Sequence, residues 1–173
     1  MLLGGCASHV LRPEQSETVP FAMNGRISVK HNGARDSAGL HWTHQAKTDE
    51  VLLLTPLGQT AARIWRDAEH ATLDDGDRHY RDKDVESLME QVLGWRLQLD
   101  SLHHWVLGMP DARDSLIDRD ELGRISVLRQ DGWEVRYLNY ADNKADSLPS
   151  RMQLSRDNVQ LMLLIDEWEW NPK

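Results

Sequence analysis

Cysteine is nearly absent: Cys6 is the only one in 173 residues. No disulfide framework can therefore staple this chain, and its thiol content is silent on redox compartment. Long apolar runs are also missing. The longest, residues 161–165, falls far short of the roughly 18 to 20 residues a spanning helix needs, so membrane contact would have to come through attached lipid or surface insertion. Cations are in deficit, with 20 Lys and Arg against 28 Asp and Glu, a formal net charge of -8 and a sequence pI near 5.4. That balance opposes phosphate backbones, and no nucleic-acid partner is expected. There is no phosphate-cradling glycine loop, no Gly-x-Ser-x-Gly elbow and no paired-cysteine motif. The usual enzymatic signatures are thus missing, and neither catalysis nor a cofactor is expected.

What is present fits one domain of common size, with 40% hydrophobic residues to form a core. Residues 7–20 are polar, contain Pro13 and Pro20 and lack periodicity, so they read as a tether reaching at most about 45 to 50 Å. From Phe21 the pattern alternates strictly, Phe21, Met23, Ile27 and Val29 facing one way and Asn24, Arg26, Ser28 and Lys30 the other. Asn32-Gly33 predicts a hairpin turn, followed by a second alternating run with Ala38, Leu40 and Trp42 on one face. Further strands are expected at 51–55, 60–66, 71–73, 125–128, 133–138, 152–154 and 159–168, about ten in all and mostly antiparallel.

Between the two groups of strands, Val85, Leu88, Met89, Val92 and Leu93 fall at helical spacing. Asp82 or Asp84 can cap that helix, and Gly94 lies beyond its end. A shorter helix is expected from Asp100, packing Leu102, Trp105 and Val106 inward and stopping at Gly108-Met109-Pro110. Helices inserted in a long antiparallel sheet must bury their apolar stripes on it. The fold class is accordingly mainly β with inserted helices (α+β): a single strongly curved antiparallel sheet, a partial barrel, covered by two or three short helices.

Eight histidines raise the question of a metal. His41 and His44 sit three apart on a strand and should point to opposite faces, and His103 and His104 should diverge by about 100° on a helix, so no metal site is expected. The acidic run Asp74-Asp75-Gly76-Asp77 has Ala71 and Leu73 where calcium ligands would stand, and a hairpin turn accounts for it better. Trp42, Trp65, Trp105 and Trp133 lie on apolar faces of expected elements, as core or as cavity lining, while Trp168 and Trp170 read as edge packing after the last strand. In Thr55-Pro56-Leu57-Gly58, proline and glycine are ordinary turn residues but leucine at the tip is not. Leu57 either folds back on the core or forms an apolar finger worth about 1.5 to 3 kcal/mol when buried in a bilayer. Leu-Gly-Gly-Cys6 looks like a bacterial lipobox, the alternative being an unmodified lone cysteine. Only five residues precede Cys6, fewer than a secretory signal needs.

Three segments carry a resemblance: the lipobox, Leu52-Leu53-Leu54-Thr55-Pro56-Leu57-Gly58, and Leu102-His103-His104-Trp105-Val106-Leu107-Gly108-Met109-Pro110. Together they resemble the LolB family of outer-membrane lipoprotein receptors, from Cys6 to about Trp168. The resemblance implies an unclosed β-barrel whose mouth is closed by helices. It implies a monomer that accepts lipoproteins from the periplasmic carrier LolA and inserts them into the outer-membrane bilayer, facing the periplasm. It also implies lipidation of Cys6 and a protruding loop with Leu57 at its tip between Pro56 and Gly58. Residues 1–5 would then be the remnant of a signal peptide, 6–20 the lipidated N-terminus and tether, and 21–173 the half-barrel. Met23, Ile27, Leu40, Trp42, Ile64 and Trp105 share an inward phase and are expected to line the acyl-chain cavity. A LolA-like soluble carrier and a structural lipoprotein of an assembly complex are the competing readings.

Overall fold

The computed structural model describes residues 19–172. Cys6, the expected signal remnant 1–5 and all of the tether except Val19 and Pro20 lie outside the described residues. Asn32 and Gly33, with φ of 46° and 82°, turn β1 (Phe21–His31) into β2 (Ala34–Gln45) as the sequence leads one to expect. The chain meanders outward through β3 (Thr48–Leu54), β4 (Thr60–Arg66), β5 (Ala71–Asp74) and β6 (His79–Asp82). It crosses by α1 (Val85–Leu93) and α2 (Leu99–Trp105) to β7 (Ser115–Arg119), then returns through β8 (Ile125–Gln130), β9 (Trp133–Tyr140), β10 (Pro149–Arg156) and β11 (Val159–Trp170).

Those strands form one sheet in the order β6-β5-β4-β3-β2-β1-β11-β10-β9-β8-β7, antiparallel at each junction. The edges β6 and β7 do not pair with each other, so the barrel stays open, and the two helices are the covalent link between those edges. The described residues form eleven strands rather than about ten. Trp170, expected beyond the last strand, lies inside β11 opposite Phe21, and its ring stacks on Trp168 with centroids 5.4 Å apart.

Cross-strand rows carry the core. One inward row runs Trp168, Met23, Trp42, Val51, Ile64, Leu73 and Tyr80 across seven strands. Where β1 meets β11 the register slips between Asn24 and Gly25, which leaves Asp166 without a partner across the ladder. The slip explains two consecutive acidic residues in β11. Ile165 faces the core before the bulge and Trp168 turns inward after it, although strict alternation would put them on opposite faces. Gly25 makes this approach possible, because a Cβ there would stand 2.1 Å from the Leu164 carbonyl oxygen. Gly25→Ala is expected to cost about 2 to 4 kcal/mol, read as a lower urea midpoint at unchanged slope.

Asp84 caps α1, accepting the Glu86 backbone N–H at 3.0 Å, and Gly94 ends the helix with φ 77°. The buried stripe Val85, Leu88 and Met89 packs toward β5 and β6. Helix α2 starts at Leu99, one residue ahead of expectation, and its N-cap residue Gln98 supplies no side-chain hydrogen bond. Its last turn is pinned to the sheet instead: Tyr137 Oη donates to the Trp105 carbonyl at 3.0 Å, and the Trp105 indole donates to Gln130 at 2.9 Å.

Candidate functional site

Under the helices the inner sheet face leaves a void with walls that are apolar throughout. Trp42, Val51 and Ile64 come from one cross-strand row, Leu40 and Leu53 from the next, and Ile27, Leu161 and Leu163 from β1 and β11. The roof is Met89 of α1, Leu99 and Leu102 of α2, and Trp95 and Leu97 from the link between them. Its volume is about 30 Å³, whereas an apolar cavity that takes up benzene measures roughly 150 Å³. In this closed form the interior is filled by side chains, and a long hydrocarbon can enter only if roof and floor separate.

Of the six residues expected at this cavity, Ile27, Leu40, Trp42 and Ile64 lie together on its lining. Met23 and Trp105 do not. Met23 is fully buried where its row passes between Trp42 and Trp168, and Trp105 is drawn away by Gln130 and by the Trp133 ring, 6.3 Å between centroids. Inward phase tells which face a residue occupies, not which part of the core it reaches. Trp95 and Leu97 line the void as well, beyond the six expected residues. A signal was there, since apolar Trp95, Leu97 and Leu99 alternate with Arg96 and Gln98, the period of an extended segment with one buried face. Trp65 faces outward, half-buried against His70 at 5.2 Å, and is not core.

The loop between β3 and β4 is built by its backbone. Thr55 N–H donates to Gln59 O, Gly58 N–H donates to Thr55 O, both at 2.8 Å, and Gly58 adopts φ 79°. No part of this frame uses the Leu57 side chain, which is 88% exposed. Leu57 therefore projects from the sheet rather than folding back on the core.

A second hollow, about 540 Å³, opens at the opposite end of the strands and is polar. There His44, Asp49 and Arg66 stand in one cross-strand row. Asp49 is buried and accepts from the Trp42 indole and His44 Nδ1 at 2.8 Å and from Arg66 Nε at 2.7 Å; Arg66 also donates to Asp100 of α2 at 2.6 Å. His103 stacks on His44, centroids 4.7 Å apart, and the His104 ring lies 3.9 Å from His103 rather than diverging. The charges of this row are paired with one another and with Asp100, and with Lys47, Lys83 and Glu86 also on its lining the hollow does not suit hydrocarbon. His41 bonds Asn24 on the outer face while His44 is buried, and among the described residues no three His, Cys, Asp or Glu are grouped to hold a metal.

Burial, with His104 and His44 as neighbours, pushes His103 down to about 4. Unfolded, it titrates near its ordinary value of about 6.5, so the unfolded chain binds more protons between those values. Stability should thus fall as pH drops from about 6.5 to about 4, by at most about 3 kcal/mol and less after solvent screening. His103→Leu should flatten that stretch of a urea-midpoint-against-pH curve.

The profile of the family described as outer membrane lipoprotein LolB matches residues 19–168. The chain is 36% identical to the outer-membrane lipoprotein LolB of Nitrosomonas europaea, covering 98% of this chain and 84% of that protein. It is 34% identical to the LolB of Azoarcus sp., covering 97% and 90%. Among solved structures, a LolA superfamily protein from Nitrosomonas europaea superposes with a TM-score of 0.54 at 12% identity, over 90% of this chain and 88% of that one. That likeness speaks for the fold alone. Sequence and architecture agree, and the chain belongs to the LolB family of outer-membrane lipoproteins.

Proposed function

We propose that this protein takes the acyl chains of lipoproteins between the α1–α2 roof and the inner sheet face and releases them into the outer membrane. The observation that carries the reading is a roofed hollow in which every lining residue is apolar. A sixteen-carbon chain costs on the order of 12 kcal/mol to leave in water, at about 0.8 kcal/mol per CH₂, so cargo cannot cross the periplasm bare. A soluble carrier of the LolA kind would hand the chains over, and transfer without nucleotide requires only that each successive host bind them more strongly.

Because the closed void is too small, acceptance is coupled to displacement of the roof. Two features favour movement there. The link 94–98 belongs to neither helix, and α2 lacks an N-terminal side-chain cap. The anchor in this reading is lipid on Cys6, with the segment to Pro20 as tether. Pro20 and Leu57 lie at opposite ends of the strands, since β1 begins beside His44 and β3 runs from there toward the loop. A reach of about 45 to 50 Å for the tether lets the finger touch the bilayer that holds the anchor.

The test is transfer of a purified carrier-bound lipoprotein to this protein and then to liposomes, followed by flotation. Acceptance followed by delivery is expected. Failure to take cargo, with no binding of a dansylated fatty acid, would favour a structural lipoprotein. Acceptance without incorporation of radiolabelled palmitate at Cys6 would favour a soluble carrier.

A further inference from the structure

The interior void has an outer neighbour. A notch of about 110 Å³ opens between the β1–β2 hairpin and the end of α1, and three of its walls, Ile27, Leu53 and Trp95, also line the void. The rest of its apolar lining is Val29, Ala38 and Leu93, and its exposed polar residues are Asp36 and Ser37. We propose that this notch is the entrance subsite for a saturated hydrocarbon chain, and that the Trp95 ring is the partition between it and the interior. The proposal rests on the acyl-chain reading above and adds a route and a gate to it.

Three observations support the assignment. Polarity falls along the path, from carboxylate and hydroxyl at the mouth to hydrocarbon inside, the order in which an amphiphile inserted tail first would meet them. Trp95 is the partition best able to move. Ile27 and Leu53 are fixed in sheet ladders on both sides, whereas Trp95 sits in the link 94–98, after the left-handed Gly94 and outside both helices. Finally, the notch opens at the end of the molecule that carries the apolar tip: Leu53 lines it, and β3 ends one residue later, before the loop that projects Leu57. A chain leaving by this route emerges beside the residue proposed to touch the bilayer.

Stopped-flow binding of a dansylated fatty acid to the full chain tests the route. Ala38→Trp plugs the notch without touching the void and should slow association roughly tenfold, about 1.4 kcal/mol of barrier. Trp95→Ala removes the partition and should speed association by a similar factor, with near-UV circular dichroism verifying that both variants fold. Brominated palmitate should quench wild-type fluorescence more than that of Trp95→Phe. Wild-type binding with an unchanged rate in Ala38→Trp would overturn the entrance while leaving the acyl-chain reading standing. A slowed Ala38→Trp with an unchanged Trp95→Ala would remove the gate alone, and no binding to the wild-type chain would remove both readings together. Should Trp95→Ala not fold, Ala38→Trp and the quenching comparison decide.

Discussion

Leu57→Glu should leave the fold and the uptake of acyl chains intact while reducing delivery to liposomes by on the order of a hundredfold or more. The loop frame depends on Thr55, Gly58 and Gln59, and the leucine side chain is 88% exposed, so little native contact is lost. A surface change of this kind moves stability by no more than about 0.5 kcal/mol. At a bilayer the balance reverses. The leucine gains about 1.5 to 3 kcal/mol on insertion, and an acidic residue instead pays a cost that reaches about 2.5 to 3.5 kcal/mol at the bilayer centre and is smaller toward its surface. Leu57→Phe keeps the apolar contact and should retain delivery. Flotation after transfer, alongside thermal unfolding of each variant, gives both readouts. Normal delivery by Leu57→Glu would take the finger away from this loop.

Legibility in the sequence followed the strength of each local signal. The β1–β2 hairpin was plain because alternation and Asn32-Gly33 agree, and α1 because Asp84 and Gly94 bracket a helical stripe. The hairpin turn expected at 74–77 calls for a strand after it but no range for β6 was legible, and β7 was not expected. Both are sheet edges of four and five residues carrying His79, Arg81, Asp82, Asp118 and Arg119, and an edge with little burial leaves almost no apolar periodicity. The Asp166 bulge left only a break in phase at Asp166-Glu167, which reads equally well as the end of a strand. The site divided along the same line. Four of six expected lining residues meet at the void because they occupy central strands whose inward phase is unambiguous. The row His44, Asp49 and Arg66 was invisible, since its pairing arises from register across three strands, and register is a property of the sheet rather than of any one segment.

That row carries the largest stability effect expected of a single substitution. Asp49→Ala should cost about 3 to 5 kcal/mol, a large part of the roughly 5 to 15 kcal/mol that holds a typical domain together. Asp49 is 3% exposed and answers three donors at once, from Trp42, His44 and Arg66. Burial alone would raise its pKa. The hydrogen bond from His44 and the Arg66 charge more than offset that, and the net direction is down. A depressed carboxylate stabilises the fold fully above its unfolded value of about 3.9, and that contribution is lost as pH falls through the lower folded value. Asp49→Asn should therefore cost less than Asp49→Ala at neutral pH and flatten the curve below about pH 4, whereas His103→Leu acts only between about 4 and 6.5. The consequence reaches the roof, because Arg66 holds the first turn of α2 through Asp100, and without Asp49 the guanidinium loses its inner counter-charge. A loosened α2 predicts greater binding of a dansylated fatty acid by Asp49→Asn in conditions where it remains folded. An unchanged urea midpoint in Asp49→Ala would show that the row does not bear this stability, and unchanged probe binding in Asp49→Asn would show that it does not restrain the helix.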